Sequence, residues 1–350
     1  METADTLSLK HTSPRKPLAA TSTTGSMRAI VRRQYGTPEA LTFEEVDRPV
    51  PAAGEVLVRV HAAGVSIGDH HVVTGKPYVI RLSPHGGMLR PRKPVPGMAL
   101  AGQVEAVGAN VTTLRPGDEV FGDAPSGAFA EYAIVPADRL ATKPSNLSFE
   151  EAAATPWGVT PLQALRDAGG LRAGQKVLIN GASGGVGTWA VQIAKALGAQ
   201  VTAVCSTRNV ELVRSLGADT VIDYTKDDFV AGGTRFDLAF DTVGNRSLSD
   251  FRKVLKADGT FISCSGGNSS WGWILGLARM SLTSLFTGQK LKPFIVSPNR
   301  ADLLSLKELV EAGKAKPVIE RRYALSEVPA ALQHVGEGHA RGQVVVRIMG

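Results

Sequence analysis

The chain has 350 residues, which is enough for two domains that each bury a hydrophobic core. Its composition, 43% hydrophobic and 20% charged, is that of a soluble globular protein. The net charge of +7 comes from scattered lysines and arginines with few aromatic residues, so we expect no nucleic-acid partner. Cys205 and Cys264 are too few and too far apart for a disulfide scaffold, so we expect free thiols and a cytoplasmic location.

The amino-terminal part of the chain divides into a leader and a region of short strands. Residues 1–26 are rich in Ser and Thr and have no periodic apolar pattern, which indicates a disordered leader or an added tag. An organelle transit peptide is the alternative, and Glu2 and Asp5 argue against it. From residue 27 to about residue 143, alternating segments such as 55–62 are separated by Gly and Pro, which predicts an all-β barrel.

From Ser148 onward, helical and strand patterns alternate, which predicts a parallel doubly wound sheet. A later helix, 302–312, is followed by a last strand, 342–348, that we expect to return to the barrel. The barrel domain would then comprise residues 27–147 and 299–350, and the parallel sheet residues 148–298. The predicted strands of the sheet are 176–180, 200–205, 219–223, 236–241 and 258–264.

The glycine-rich stretch from Asn180 to Gly187 lies between an apolar strand and a predicted helix, 189–197. Strand, glycine-rich turn and helix together form the entry to a dinucleotide-binding unit, in which the helix N-terminus binds the pyrophosphate. An ordinary strand-to-helix turn is the alternative, but the amphipathic helix and the second strand supply the full context of the motif. The predicted contacts are Ala182, Ser183, Gly184, Gly185, Val186 and Gly187, with Ala182, Gly184 and Gly187 at the fingerprint positions.

The end of the second strand predicts which dinucleotide binds. Sites that prefer NAD place an acidic residue there to bind the ribose 2′-hydroxyl, yet no acid occurs between Gly187 and Glu211. Ser206, Thr207 and Arg208 occupy this region instead. Two hydroxyls and a guanidinium suit a 2′-phosphate, so we expect NADPH; a helix cap with a solvated arginine is the plainer alternative.

Four further stretches, together with the glycine-rich turn, resemble the medium-chain dehydrogenase/reductase superfamily. These stretches are 115–120, 127–132, 216–219 and 221–224 (RPGDEV, GAFAEY, LGAD and VIDY). The resemblance extends over nearly all of the chain from residue 27 and is greatest for the zinc-free quinone oxidoreductase branch. It implies an α/β fold with a Rossmann doubly wound parallel sheet plus a GroES-like β-barrel domain.

The metal ligands of the zinc-dependent members of this superfamily have no counterparts here. The chain has Ser66 at the first ligand position, Met98 at the position of the ligating histidine, and no cysteine in the barrel segment. A thiolate zinc site cannot be built, so we expect no metal. An adventitious site at His70, His71 and His85 is the alternative, although adjacent loop histidines are more often solvated than ligating.

Without zinc, the resemblance implies an NADPH-dependent reductase of quinones or α,β-unsaturated carbonyls. Hydride transfer to these substrates needs only hydrogen bonds and a proton for the resulting oxyanion. Ser66 is the candidate to hold the substrate oxygen, and His71 or Tyr78 to supply a proton; a loop residue bonded to backbone is the alternative for each. Branch members usually carry Asn and Tyr where this chain has Ser66 and His71. A second hypothesis therefore stays open, an NADPH-binding sensor or interaction module with little turnover.

The resemblance and the strand ends predict further cofactor contacts. Loops at the carboxyl ends of the fourth and fifth strands line the crevice of this sheet type, although their glycines are equally typical of plain turns. Tyr224 and Thr160 have alternatives as a strand-end aromatic and a helix-interior threonine. Gln343 stands where branch members often have Lys. The predicted residues are Thr160, Tyr224, Asp241, Val243, Ser265, Gly266, Gly267 and Gln343.

The segment 271–286 is the most apolar run in the chain. It is shorter than the roughly 20 residues of a membrane-spanning helix, and Arg279 interrupts it. A core or dimer contact is the plainer interpretation, and branch relatives lead us to expect a homodimer. The alternatives are a lid over a small hydrophobic carbonyl or quinone substrate, or a peripheral membrane contact.

Overall fold

The fold is built from two large sheets, each with its own helices, and from a separate antiparallel pair formed by the first two strands. The computed structural model describes residues 25–83, 86–264, 280, 283–284, 286–338 and 340–349. The strands are β1 (Ser26–Val31), β2 (Thr42–Asp47), β3 (Glu55–Val65), β4 (Ala99–Val107), β5 (Glu119–Asp123), β6 (Tyr132–Pro136), β7 (Leu140–Thr142), β8 (Lys176–Asn180), β9 (Gln200–Cys205), β10 (Thr220–Asp223), β11 (Phe236–Asp241), β12 (Leu255–Ser263), β13 (Lys290–Pro293), β14 (Ile319–Ala324) and β15 (Gln343–Arg347).

The helices lie mainly in the second half of the chain. The α-helices are α1 (Ile67–Thr74), α2 (Phe149–Ala154), α3 (Val159–Leu162), α4 (Gly185–Ala196), α5 (Val210–Ser215), α6 (Leu248–Val254), α7 (Arg300–Glu311) and α8 (Val328–Gly336). Short 3-10 helices lie at Pro38–Ala40, Tyr78–Leu82, Ala137–Arg139, Pro156–Gly158, Thr207–Asn209 and Leu325–Glu327, and a π-helix at Gln163–Ala168.

Six parallel strands form one sheet in the order β10-β9-β8-β11-β12-β13. Val177, Leu178 and Ile179 in the central strand β8 are fully buried, because the neighbouring helices cover both faces of the sheet. This confirms the predicted doubly wound sheet and its five predicted strands. The sixth strand, β13, was missed because its sequence, Lys-Leu-Lys-Pro, contains a single aliphatic residue and a proline.

Seven strands form the second sheet, in the order β14-β15-β3-β4-β5-β7, with β6 also paired to β3. The long strand β3 pairs with three other strands. Its first half pairs with β6 and its second half with β15, while β4 runs along its other edge. The sheet therefore bends around β3 into a barrel-like layer, and the return of the last strand to this domain is confirmed.

The two sheets share one continuous core. A Cβ at Gly64, near the end of β3, would lie 2.6 Å from the Ala153 carbonyl oxygen and 2.7 Å from Nε1 of Trp157. Gly158, the residue after Trp157, packs against the buried ring of Trp189 on α4. Glycines at these two positions let the segment from α2 to α3 pass between the barrel and the parallel sheet at backbone distance.

The predicted domain boundaries stay predictions. Strand β1 begins at Ser26, the last residue of the segment predicted to be a leader. Helix α7, which the prediction gave to the barrel domain, places Leu303 and Leu306 in the same core as Trp189. Most of segment 271–286 lies outside the described residues, and so do the hypotheses that concern it. Within the described ranges, no helix is long and apolar enough to cross a membrane.

Candidate active site

The carboxyl ends of the parallel strands form a crevice where the strand order reverses. Strands β8 and β11 are neighbours in the sheet, although β9 and β10 separate them in sequence. Open α/β sheets bind their ligands at such a switch point. Across it, Nδ2 of Asn180 donates a hydrogen bond of 2.8 Å to Oδ1 of Asp241.

The glycine-rich turn enters this crevice after β8. Gly181 has a φ of 83°, which favours glycine, and sequence reasoning missed this position. A Cβ at Gly187 would collide with the Gly181 carbonyl oxygen, whereas a Cβ at Gly184 would lie 3.6 Å from that atom. Because Gly184 precedes α4, no side chain caps the helix, and the N–H groups of its first turn can bind an anion. The turn therefore fits a dinucleotide pyrophosphate.

Asn209 joins the glycine-rich turn to the predicted 2′-phosphate loop. This side chain is buried, and its Nδ2 donates to the hydroxyl oxygens of Ser183 at 2.9 Å and Ser206 at 3.2 Å. Two predicted contacts that are far apart in sequence are thereby held together. Ala182 is fully buried behind the turn, and Val186 is half-buried at the start of α4.

The loop after β9 contacts a carboxylate that the sequence reasoning missed, that of Asp223 at the end of β10. Oγ1 of Thr207 donates to Oδ2 of Asp223 at 2.6 Å, and the hydroxyl of Thr225 donates to Oδ1 at 2.7 Å. The hydrogen bond from Thr207 is the main reason that the pKa of Asp223 falls to about 2, so this carboxyl is ionised at neutral pH. Arg208 and Tyr224, the adjacent predicted contacts, are both exposed.

The remaining predicted contacts of the parallel sheet differ in their surroundings. The carboxylate of Asp241 is buried and accepts hydrogen bonds from the N–H groups of Val243 at 3.1 Å and Gly244 at 3.1 Å, so it caps the turn after β11. Val243 itself is half exposed beside Gly181. Thr160 is half-buried in α3, next to α4. The predicted contacts 265–267 lie outside the described residues.

Strand β15 connects the barrel to the glycine-rich turn. The Gly342 N–H donates to the Ser183 carbonyl at 2.8 Å, and Nε2 of Gln343 donates to the Gly185 carbonyl at 2.6 Å. The next residue, Val344, is the cross-strand partner of Val65, immediately before Ser66. The predicted contact Gln343 and the candidate catalytic Ser66 are therefore brought to the same side of the crevice.

Ser66 forms the N-cap of α1 together with Asp69. The Ser66 hydroxyl donates to Oδ2 of Asp69 at 2.8 Å and accepts from the Asp69 N–H at 3.3 Å, while the Ser66 N–H donates to the same Oδ2 at 2.9 Å. This reciprocal arrangement is a capping box. Ser66 is half-buried, and these hydrogen bonds hold its hydroxyl in a fixed position.

Asp69 is buried, and a second carboxyl on this side of the barrel, that of Asp123, is half-buried. Burial raises the pKa of Asp69 to about 6, against hydrogen bonds from Ser66 and the Met98 backbone that act in the opposite direction. Burial also raises the pKa of Asp123 to about 7, with Arg139 opposing and Asp69 adding to the rise. Asp123 pairs in the sheet with Ala99, next to Met98, so the two acids flank one segment.

His71 and Tyr78, the two candidate proton donors, lie in different surroundings. His71 is half-buried on α1, and burial together with the neighbouring His70 lowers its pKa, so the ring is neutral at pH 7. Tyr78 is 62% exposed, and the Arg81 guanidinium lies 4.8 Å from its ring centroid. Ser66 and His71 therefore share one helix, whereas no described contact joins Tyr78 to either residue.

The described residues hold no group of three or more His, Cys, Asp or Glu side chains that could bind a metal. His85, one member of the alternative histidine site, lies outside them. Cys205 is the last residue of β9 and Cys264 directly follows β12, and burial raises their pKa values to about 11 and about 12. These thiols are protonated at neutral pH and lie on the parallel sheet, away from the barrel helix of Ser66.

The residues that sequence reasoning missed differ in how they could have been found. The spacing Ser66-x-x-Asp69 is a capping-box pattern that is visible in the sequence. Asp123 carries no local signal, because its partner Ala99 lies on another strand, and no local pattern links Asn209 to Ser183, which lies 26 positions earlier in the glycine-rich turn. Asp223 lies in the VIDY stretch that carries the resemblance, yet its hydrogen bond from Thr207 depends on β9 and β10 being neighbours.

Comparison with known proteins agrees with this arrangement. The family described as "Alcohol dehydrogenase GroES-like domain" matches residues 52–145, and the family described as "Zinc-binding dehydrogenase" matches residues 216–346. The chain is 33% identical to the mitochondrial NAD(P)H oxidoreductase RTN4IP1 of Danio rerio, over 92% of each chain. The chain is a medium-chain dehydrogenase/reductase of the zinc-independent, quinone oxidoreductase-like branch.

Two more members of this superfamily specify the branch. The chloroplastic NADPH-dependent alkenal/one oxidoreductase of Arabidopsis thaliana is 32% identical over 91% of this chain and 79% of its own. The quinone oxidoreductase of Coxiella burnetii has a known structure that superposes with a TM-score of 0.81, at 29% identity over 93% of this chain and 100% of that chain. This medium-chain dehydrogenase/reductase is an NAD(P)H-dependent oxidoreductase, and its Rossmann and GroES-like domains are confirmed.

The two glycines of the turn predict separable effects. Gly187→Ala forces its methyl group against the Gly181 carbonyl and should lower the free energy of unfolding by about 1–3 kcal/mol. The methyl group of Gly184→Ala makes only an ordinary contact with the Gly181 carbonyl oxygen, so the stability of this variant should be nearly unchanged. Its methyl group intrudes on the pyrophosphate and should weaken NADPH binding about tenfold. Denaturant unfolding and calorimetric NADPH titration measure the two effects, and equal destabilisation by both variants would contradict this geometry.

The raised pKa of Asp123 predicts a pH dependence of stability. The folded state binds this proton more tightly than the unfolded chain, so stability falls as the pH rises from about 4 to about 7. Asp123→Asn removes this pH dependence. Between pH 4 and pH 7, the free energy of unfolding of this variant should therefore rise relative to that of wild type by on the order of 4 kcal/mol. Denaturant unfolding at pH 4 and pH 7 measures this change in the free energy of unfolding. The control is Asp258→Asn, which changes an exposed carboxyl. Equal pH slopes for wild type and Asp123→Asn would refute the raised pKa.

Proposed function

We propose that the protein is an NADPH-dependent, zinc-independent reductase of quinones and α,β-unsaturated carbonyls. The observation that carries this proposal is the position of Ser66. A hydroxyl stands where zinc-dependent members place a thiolate ligand, and the strand that binds the cofactor turn also holds its neighbour Val65. The names of the relatives in Coxiella and Arabidopsis, a quinone and an alkenal/one oxidoreductase, support the substrate class.

The preference for NADPH is proposed from the loop after β9. Arg208 and Ser206 offer a guanidinium and a hydroxyl to the 2′-phosphate, at the point where NAD-binding relatives of this fold place an acid. Thr207 contributes less than the sequence alone suggested, because its hydroxyl already donates to Asp223. The ionised Asp223 also favours the opposite choice, the ribose 2′-hydroxyl of NADH, so Arg208 decides the preference.

Ser66 and Asp69 can supply the hydrogen bond and the proton that the substrate oxygen needs. The bound dihydronicotinamide supplies a hydride, and the substrate oxygen then carries the developing negative charge. Ser66 donates a hydrogen bond to that oxygen once its hydroxyl turns away from Asp69. The Ser66 hydroxyl proton then passes to this oxyanion, a protonated Asp69 gives its proton to the Ser66 oxygen, and solvent reprotonates Asp69. Since the pKa of Asp69 is about 6, turnover should decline as the pH rises through that value.

The first test is the oxidation of NADPH against a panel of quinones and enones. Turnover that survives a chelator and exceeds the rate with NADH supports the proposal. Tight NADPH binding without turnover on any acceptor would instead favour the sensor or interaction module, for which the departures at Ser66 and His71 leave room.

Arg208→Gln should lower kcat/KM for NADPH by about 10- to 100-fold, because a charged hydrogen bond to the 2′-phosphate is lost. Turnover with NADH should change little. The matched control is Arg214→Gln, an exposed arginine on the following helix that pairs with Glu211 at 2.7 Å. Steady-state kinetics with both cofactors measure the effect, and a parallel loss for NADPH and NADH would argue against a 2′-phosphate contact.

Ser66→Ala and Ser148→Ala separate catalysis from helix capping. Both serines form capping boxes, Ser66 with Asp69 on α1 and Ser148 with Glu151 on α2. Each substitution should therefore cost about 1 kcal/mol of stability. Only Ser66→Ala should lower kcat, by about 100-fold, through loss of the donor to the substrate oxygen. Unchanged kcat in Ser66→Ala would leave Ser66 with a structural role alone.

A further inference from the structure

The segment between α1 and β4 exposes an unusual combination of side chains. Four large apolar residues face solvent: Tyr78 is 62% exposed, Leu82 66%, Met88 68% and Leu89 87%. Soluble proteins rarely collect such residues in one short segment unless the surface binds something. We call these four residues, with the exposed basic residues Arg90, Arg92 and Lys93, the apolar–basic surface.

The charge of this segment has one sign. From residue 70 to residue 104 the sequence has five basic residues and no acidic one. Among the described residues, no ion pair joins Arg90, Arg92 or Lys93 to a carboxylate, whereas Arg28 pairs with Glu131 at 2.6 Å. The apolar–basic surface therefore keeps its positive charge unneutralised.

The backbone beneath the apolar–basic surface is fixed. The Tyr35 hydroxyl donates to the Gly87 carbonyl at 2.7 Å, and Gly87 itself is buried. The Arg81 guanidinium lies 4.3 Å from the ring centroid of Tyr35, and its Nε donates to the Gly75 carbonyl at 3.1 Å. Met88 and Leu89 follow directly after this anchor. Their exposure is therefore a property of an ordered turn, and it leaves apolar area in water that burial would stabilise.

We propose that the apolar–basic surface docks the protein onto anionic lipid bilayers. Apolar side chains that enter the acyl boundary, next to lysines and arginines at the level of the headgroups, are the two features that bind a protein to such a surface. The absence of acidic residues from 70 to 104 removes the repulsion that an anionic membrane would exert. Charge complementarity favours a bilayer over a second copy of this chain, since two copies of a positive surface repel each other.

Docking at this surface would affect how substrates reach the candidate active site, a consequence that rests on the proposed function. The segment begins at the end of α1, the helix that carries His71 and is capped by Ser66. A membrane bound there would lie beside the entrance to the candidate active site. Apolar quinones and enones that dissolve in the bilayer could then reach the site without crossing water.

Vesicle binding by the full chain tests the proposal. Sedimentation with phosphatidylcholine vesicles should leave the protein in the supernatant, and added phosphatidylglycerol should move it to the pellet. Binding should weaken steeply as salt is added, because the attraction is screened within about 10 Å at 0.1 M ionic strength. Absence of binding to the anionic vesicles at low salt would overturn the proposal.

Two pairs of variants locate the contact. Arg90→Gln with Arg92→Gln should weaken vesicle binding on the order of 30-fold. The control, Arg172→Gln with Lys314→Gln, removes two exposed basic residues elsewhere and has the same net charge. Met88→Ser with Leu89→Ser should also release the protein, with Val50→Ser and Ile295→Ser, 67% and 76% exposed in wild type, as the apolar control. Equal losses in the variants and their controls would overturn the assignment of this surface.

Fluorescence of a label at position 89 tests separately whether this side chain enters the bilayer. Leu89→Cys can be labelled selectively with an environment-sensitive fluorophore, since burial raises the pKa values of Cys205 and Cys264 to about 11 and about 12. Its emission should shift to the blue on anionic vesicles. If light scattering shows that the Met88/Leu89 variant dissociates an oligomer while vesicle binding persists, a second copy occupies the surface and the proposal fails. NADPH binding by every variant reports correct folding independently of whether the reductase function holds.

Discussion

The contact between the start of β15 and the start of α4 is the constraint on which the site depends. The Gly342 N–H binds the Ser183 carbonyl, and the Gln343 amide binds the Gly185 carbonyl, so the last strand of the barrel is tied to the cofactor turn. Gly342 has a φ of 86°, and a Cβ there would collide with Val318, so glycine is required at this junction. The same strand continues as the partner of β3, which ends beside Ser66. One strand thus sets the distance between the glycine-rich turn and Ser66.

The barrel side of this site combines a hydroxyl with one buried and one half-buried acid. In zinc-dependent members a metal would supply the charge that polarises the substrate oxygen. Here Ser66 occupies the first ligand position and Met98 the position of the histidine, so the chain keeps the scaffold and replaces the donors. Asp69 and Asp123 flank Met98 with raised pKa values, which keeps these two carboxyls partly protonated at slightly acidic pH. The chemistry that remains is hydride transfer followed by protonation, which suits conjugated carbonyls.

The cofactor side shows how tertiary structure changes the meaning of a short motif. In the sequence, Ser206, Thr207 and Arg208 form a set of donors without an acid. In the folded chain, β10 lies next to β9 and brings the Asp223 carboxylate to Thr207. Of the three residues in this loop, Thr207 therefore has its hydroxyl committed to a carboxylate of the protein itself.

The sequence by itself determined the features that are encoded by neighbouring residues. Five strands of the parallel sheet and the glycine-rich turn before α4 follow from residues within a few positions of each other, because strand and helix periods and turn glycines are local properties. The lack of cysteine in the barrel segment is read directly from the sequence. Tertiary structure alone decided the rest. Strand β13 has no apolar alternation and is held by its pairing with β12. Asn209 finds Ser183 across 26 positions and Gln343 finds Gly185 across 158, and burial raises the pKa of Asp123. Hydrogen bonds and burial of this kind depend on which segments meet in space, and no pattern within either segment specifies its partner.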